Sequence, residues 1–177
     1  TYHALKDFNY ELVMTSRQHN SGTDRICEVV RHFNNFDIII NIQADEPFID
    51  PTLIDKLVET HYDKSVQMST LVSTQISQRD YDNVSIVKAI LDKNNFAIDF
   101  KRQCVSNYKH LGVYGYTKKT LLNFVSLAPT ANEKRRNLEQ MRALDNGIKI
   151  KAILTDKDSL SINTLHDLSH INLKDNL

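Results

Sequence analysis

Apolar and polar positions along this chain change period from block to block. Asp37 to Ile42 holds four isoleucines in six positions. That block is too short for an ordinary helix and too apolar for a half-exposed strand. It predicts a central strand buried on both faces, as in a parallel sheet. Pro47 cannot donate to a ladder and marks its end. Just before it, Ser21-Gly22-Thr23-Asp24 supplies hydroxyl caps and a first-turn acid. Ile26, Val29, Val30 and Phe33 then follow at helical spacing. Asp50-Pro51 is a second N-cap with proline at the first helical position, opening a helix that should bury Ile54, Leu57 and Val58.

The remaining blocks continue the alternation. Short strands are expected at Tyr10–Met14, Gln67–Thr74, Val84–Leu91, Phe96–Phe100 and Leu111–Tyr116. Asp92-Lys93-Asn94-Asn95 turns one strand into the next as a hairpin. Gln75–Asn83 is polar and reads as loop. Thr117 should cap a short helix, and Thr130-Ala131-Asn132-Glu133 is a capping-box pattern. The helix it opens should run through Leu138, Met141 and Leu144 to a stop at Asn146-Gly147. Ile148–Leu154 alternates like an edge or half-exposed strand. Asn163–Leu173 reads as a closing helix. Strands alternating with helices give an α/β class, in a single domain spanning 1–177.

Composition narrows the function. Twenty-two basic and 22 acidic residues cancel, so no global field points to nucleic acid or an anionic membrane. No apolar run approaches the ~18 residues that span a bilayer, and the charged Thr1–Leu12 stretch does not read as a signal peptide. Cys27 and Cys104 form no CxxC pattern and read as free thiols of a reducing cytoplasm. Glycine-rich phosphate loops and a nucleophile elbow are missing from the sequence. Ligands of open α/β sheets bind past the carboxyl ends of strands, which is where Gln43, Asp45 and Glu46 fall. His166 and His170 sit four apart on the closing helix, which reads as an exposed face. Lys134-Arg135-Arg136 falls near a helix start and reads as a solvated run.

Five stretches together carry a resemblance. They are Met14-Thr15 with His19-Asn20-Ser21-Gly22-Thr23-Asp24-Arg25; Asn41-Ile42-Gln43-Ala44-Asp45-Glu46-Pro47; Val87-Lys88; His110-Leu111-Gly112-Val113-Tyr114-Gly115-Tyr116; and Leu138-Glu139-Gln140-Met141-Arg142. In order and spacing the chain resembles the 3-deoxy-manno-octulosonate (KDO) cytidylyltransferases, the CMP-KDO synthetases. The resemblance implies a Rossmann-like nucleotidyltransferase sheet with flanking helices. It implies that KDO attacks the α-phosphate of CTP and displaces pyrophosphate, with Mg²⁺ as cofactor, in the cytoplasm, for lipopolysaccharide biosynthesis. By resemblance Asp45 is a metal ligand, and Asp45 and Lys88 take catalytic positions. His19, Ser21, Gly22, Thr23, Arg25 and Gln43 line the nucleotide site. His110, Tyr114, Glu139 and Gln140 face the sugar acid, with Arg142 or Lys88 on its carboxylate. A homodimer is implied as well.

Departures from the family pattern set further expectations. The family opens with a strand and a basic, proline-containing loop, so the chain is expected to lack the first βαβ unit and to expose apolar surface. The family's VDTPEDL reads Ile162-Asn163-Thr164-Leu165-His166-Asp167-Leu168 here, so Asn163 stands at the second metal position without its charge. Ala44 replaces a glycine, with strain of roughly 1–2 kcal/mol expected if that position takes a positive φ. On these grounds CMP-KDO synthesis by the chain alone is expected to fall below detection. Two other readings stand beside synthesis: a non-catalytic binding or dimer-partner protein, and a cytidylyltransferase for a related sugar acid.

Overall fold

The computed structural model describes residue 5 and residues 7–104, 106–159, 161 and 162. The elements in order are α1 (Gly22–His32), β1 (Ile38–Asn41), α2 (Pro51–Thr60), β2 (Met68–Ser73), α3 (Gln78–Asp82) and β3 (Lys88–Leu91). They continue with β4 (Ala97–Lys101), β5 (Lys109–Thr117), α4 (Lys118–Ser126), α5 (Ala131–Arg136), α6 (Gln140–Asp145) and β6 (Ile150–Thr155). The strands form one sheet in the order β4-β3-β5-β2-β6, with β1 also paired to β5.

Strand β5 is the spine of this sheet. All of β2 runs antiparallel along one edge, from Met68 opposite Tyr116 to Ser73 opposite Lys109. The other edge is shared. β1 pairs residues 114–117, while β3 meets the start of the strand at Lys109. β6 lies parallel to β2. Strands β1, β2 and β6 therefore run in one direction, and their carboxyl ends share one edge of the sheet.

Alternation along the strands separates two cores. On one face, Ile39, Met68, Val72, Tyr116, Ile150 and Ala152 pack with Val30 of α1, Leu121 and Phe124 of α4, and Met141 and Ala143 of α6. On the other, Leu71, Leu111 and Val113 pack with Leu53 and Leu57 of α2. Three helix starts are closed by the residue their sequence suggests. Ser21 accepts from the Asp24 amide, Asp50 from that of Thr52, and Thr117 from that of Thr120. Each such cap satisfies an otherwise orphan donor and stabilises by about 1 kcal/mol.

Several expectations need correction. The sheet is mixed: β1 is separated from its parallel partners by the antiparallel β5, so it is no central strand of a parallel sheet. Among the described residues β1 pairs with β5 alone. Tyr10–Met14 forms no strand, and Tyr10, Val13 and Met14 are exposed, because no neighbouring strand pairs with them there. Val84–Val87 precedes the ladder, which begins only at Lys88. The polar stretch before it folds into α3, closed by a capping box between Ser77 and Asp80. In α2, Leu53 rather than Ile54 leads the buried stripe.

The helix expected from Thr130 to Asn146 is two helices. Asn137 adopts a left-handed conformation (φ 53°, ψ 51°) and ends α5. Lys134, Arg135 and Arg136 consequently occupy the last turn of α5, where the helix dipole favours cations. Ala44 does not take a positive φ, so the expected strain is absent. The expected closing helix, with His166, His170 and Asn163, falls outside the described residues.

Candidate active site

A cleft of about 590 Å³ opens at the carboxyl edge shared by β1, β2 and β6. Four expected residues meet on its walls: Asp45 after β1, His110 on β5, and Glu139 and Gln140 at the start of α6. Glu46, the loop residues Asn83, Ser85 and Asn137, and Ser159 and Ser161 also line it. A second cleft of about 440 Å³ borders it along Asn137, Leu138 and Glu139, and reaches Ser21 and Arg142.

Asp45 is exposed, and its carboxylate has no side-chain partner among the described residues. Its backbone carbonyl accepts from the Ile162 amide at 2.8 Å. Glu46, its neighbour in sequence, is buried instead. His110 stands between the rings of Phe100 and Tyr114, at centroid distances of 5.1 and 5.3 Å. Its Nε2 meets the Thr70 hydroxyl at 3.0 Å. Burial pushes the imidazole pKa down to about 3, so the ring is neutral at ordinary pH. Tyr114 lies behind His110, and burial raises its phenol well above the usual range.

Glu139 joins the two clefts. One carboxylate oxygen accepts from the Thr23 hydroxyl at 2.6 Å. The other is buried without a hydrogen-bond partner, 3.7 Å from the Arg142 guanidinium. Arg142 is committed elsewhere: its Nε and Nη2 grip both oxygens of Glu133, and its plane stacks 4.9 Å above the Phe124 ring. Such a bidentate pair spends the guanidinium fork internally.

Lys88 is equally committed. It is fully buried, and Nζ donates to the carbonyls of Tyr81 (3.1 Å), Asn83 (3.0 Å) and Arg102 (2.6 Å). An ammonium has three protons, so none remains for a substrate. Burial lowers its pKa below the usual lysine range. Lys88 holds the loop that walls the cleft rather than entering it. Arg102, which the sequence reading passed over, ties the same wall together by donating to the carbonyls of Val84 and Asn137.

Apart from Thr23, which bonds Glu139, the expected nucleotide residues lie around the loop before α1 and the end of β1. Arg25 donates to Thr15 and to the Ser16 carbonyl, while Glu28 accepts from the Ser16 amide and pairs with His19. These bonds fasten the polar loop to α1. His19 borders a polar pocket of about 310 Å³ with Gln18, Asn20 and Asp24. Gln43 donates to Asn41 and covers Gly22 so closely that a Cβ there would lie 2.7 Å from its Oε1.

Among the described residues, no group of three or more His, Cys, Asp or Glu side chains is gathered to hold a metal. Mg²⁺ needs less: it is commonly held through one or two carboxylates, waters and substrate phosphates. The exposed carboxylate of Asp45 at the cleft suits that mode. No helix among the described residues is long and apolar enough to cross a membrane.

Comparison with known proteins agrees with this geometry. The cytidylyltransferase family profile matches residues 2–150. A 3-deoxy-manno-octulosonate cytidylyltransferase of Thermodesulfovibrio yellowstonii is 38% identical, across 94% of this chain and 74% of that protein. One from Fusobacterium nucleatum is 34% identical, across 96% and 74% respectively. The solved structure of a CMP:2-keto-3-deoxy-manno-octonic acid synthetase, complexed with CTP, superposes with a TM-score of 0.87 at 30% identity, covering 95% of this chain and 73% of that one. A 4-diphosphocytidyl-2C-methyl-D-erythritol synthase from Anaerococcus prevotii shares the fold alone, with a TM-score of 0.56 at 12% identity, across 96% and 73%. The mixed sheet, the cleft at its carboxyl edge and these matches together place the chain in the cytidylyltransferase family, among the 3-deoxy-manno-octulosonate cytidylyltransferases.

Proposed function

We propose that this chain serves the CTP-dependent activation of KDO: cytidylyl transfer from CTP to the sugar acid with release of pyrophosphate, a cytoplasmic step towards lipopolysaccharide. The observation that carries this reading is the cleft itself. Three separate stretches of sequence deliver Asp45, His110 and the neighbours Glu139 and Gln140 to one opening at the sheet's carboxyl edge. The chemistry of the walls suits a polyhydroxylated acid. Neutral His110, Glu139 and Gln140 offer hydrogen-bond donors and acceptors to hydroxyls. Asp45 would hold Mg²⁺, which when bound neutralises charge on the nucleotide phosphates. The loop fastened by Arg25 and Glu28, with Gln43, would border the nucleotide. Lys88 and Arg142 contribute as supports of the walls. A homodimer belongs to the same reading.

The test is binding and turnover on the whole chain. Calorimetry should detect KDO and CTP, and Gln140→Ala should weaken KDO by roughly tenfold while CTP affinity holds within about twofold. Pyrophosphate release with CTP, KDO and Mg²⁺ should be very low and should rise in Asn163→Asp, because Mg²⁺ prefers a charged oxygen ligand. A chain that binds no KDO, or loses both ligands equally in Gln140→Ala, would overturn the assignment. Binding without turnover, unchanged by Asn163→Asp, would favour the non-catalytic binding protein.

A further inference from the structure

Asp45 and Glu46 are adjacent carboxylates, yet their surroundings are opposite. Asp45 is exposed at the cleft, whereas Glu46 is only 5% exposed. A buried carboxylate is costly unless its oxygens are satisfied. Those of Glu46 are: one accepts from the Ser159 hydroxyl and the other from the Ser161 hydroxyl. Gly112 of β5 faces it closely, since a Cβ there would stand 3.8 Å from Oε1. Two more ties act on the same stretch after β6. Lys109 bonds Asp158 at 2.8 Å, and the Ile162 amide donates to the Asp45 carbonyl at 2.8 Å. The chain after β6 thus lines the cleft and is fastened beside Asp45, whose carboxylate is open to it.

We propose that Glu46 is a positioning residue: through Ser159 and Ser161 it clamps the chain after β6 into the cleft wall and holds Ile162 against Asp45. The clamp stands on the geometry, and its service to the nucleotide and metal rests on the cytidylyltransferase reading. The neighbouring carboxylates divide the work. Asp45 faces the ligand, and Glu46 fixes the wall beside it. Such supporting hydrogen bonds commonly change metal affinity by about 10–100-fold when removed.

Hydrogen exchange on this chain tests the clamp directly. In the Ser159→Ala/Ser161→Ala double variant, exchange at the Ile162 amide should rise by at least ~10-fold, with β2 and β5 peptides unchanged. Ser161→Thr keeps a hydroxyl and should stay close to the unmodified chain. Glu46→Gln should behave like the double variant, and the serine variants decide the matter if it does not fold. In CTP titrations the double variant should need roughly tenfold more Mn²⁺ for half-saturation, with metal-free CTP affinity within about twofold. Unchanged exchange at Ile162 would overturn the clamp. Raised exchange with unmoved Mn²⁺ dependence would overturn its role at the site. If the unmodified chain binds no CTP, the cytidylyltransferase reading fails, and the exchange result alone decides whether Glu46 clamps this chain.

Discussion

Strand β5 has two neighbours along one edge: β3 beside its first residues and β1 beside its last. The β3 end borders the large cleft, and several polar groups around it are closed into networks. Lys88 spends three protons on carbonyls, Glu46 two oxygens on hydroxyls, and Glu133 both oxygens on Arg142. The β1 end borders an apolar hollow of about 330 Å³, lined by Val13, Ile26, Val29, Val30, Phe33, Phe36, Ile38 and Ile39 with Glu11 at its rim. Phe36 is 58% exposed there. One edge of one strand thus carries two kinds of surface. At the polar end, position is set mainly by directional bonds, with the inner oxygen of Glu139 left without a partner. At the apolar end, it is set by partial burial, which tolerates change.

That contrast can be broken or sharpened by mutation. The largest effect should come from Glu133→Ala, which leaves the nearly buried Arg142 without its bidentate partner. A loss of about 3 kcal/mol is expected in urea unfolding. Lys88→Met should follow at about 2 kcal/mol, because three carbonyls lose their donor while the stem is still filled. A stable Lys88→Met chain would break the comparison.

His110 gives the next effect, as a pH dependence. Its folded pKa, about 3, lies below the unfolded value of about 6.5, so the unfolded chain binds the extra proton first. Its contribution is fully present above pH ~6.5 and is lost as pH falls towards ~3. Because the ring borders the cleft, solvent reduces the full shift, and a loss of about 1–2 kcal/mol is expected. Unfolding of His110→Gln should lack that component of the acid limb. Smallest of all, Ile38→Thr at the open β1 end should cost less than about 1 kcal/mol. A cost like that of Lys88→Met would erase the distinction between the two ends.

What could be read in the sequence was what depends on near neighbours. Ser21, Asp50, Thr117 and the Thr130–Glu133 box cap where the local pattern put them. The strands β2, β4 and β5 and the hairpin turn at Asp92–Asn95 likewise follow from local alternation. The site was legible as a set, since Asp45, His110, Glu139 and Gln140 do converge. Their occupancy was not. Lys88 and Arg142 looked like free cations, because the carbonyls and carboxylate that absorb them come from chain 5–14 residues away and bond through the folded loops. Glu46 and Ser161 are 115 residues apart, so no local pattern links them. That β1 is a strand was legible, but its place in a parallel sheet was not, because a run of isoleucines encodes burial without naming a partner.

Asn137 has a consequence beyond dividing a helix. Its left-handed backbone is a stereochemical choice, independent of pH, salt or ligand, and Asn reaches it at less cost than most residues. The turn it makes presents Leu138 and Glu139 to both clefts, with Thr23 steadying Glu139 from α1. The wall that a sugar acid would meet is therefore ordered before the encounter. Binding there would be spared the entropy of immobilising that loop, a saving of about 0.5–1.5 kcal/mol for each side chain already held.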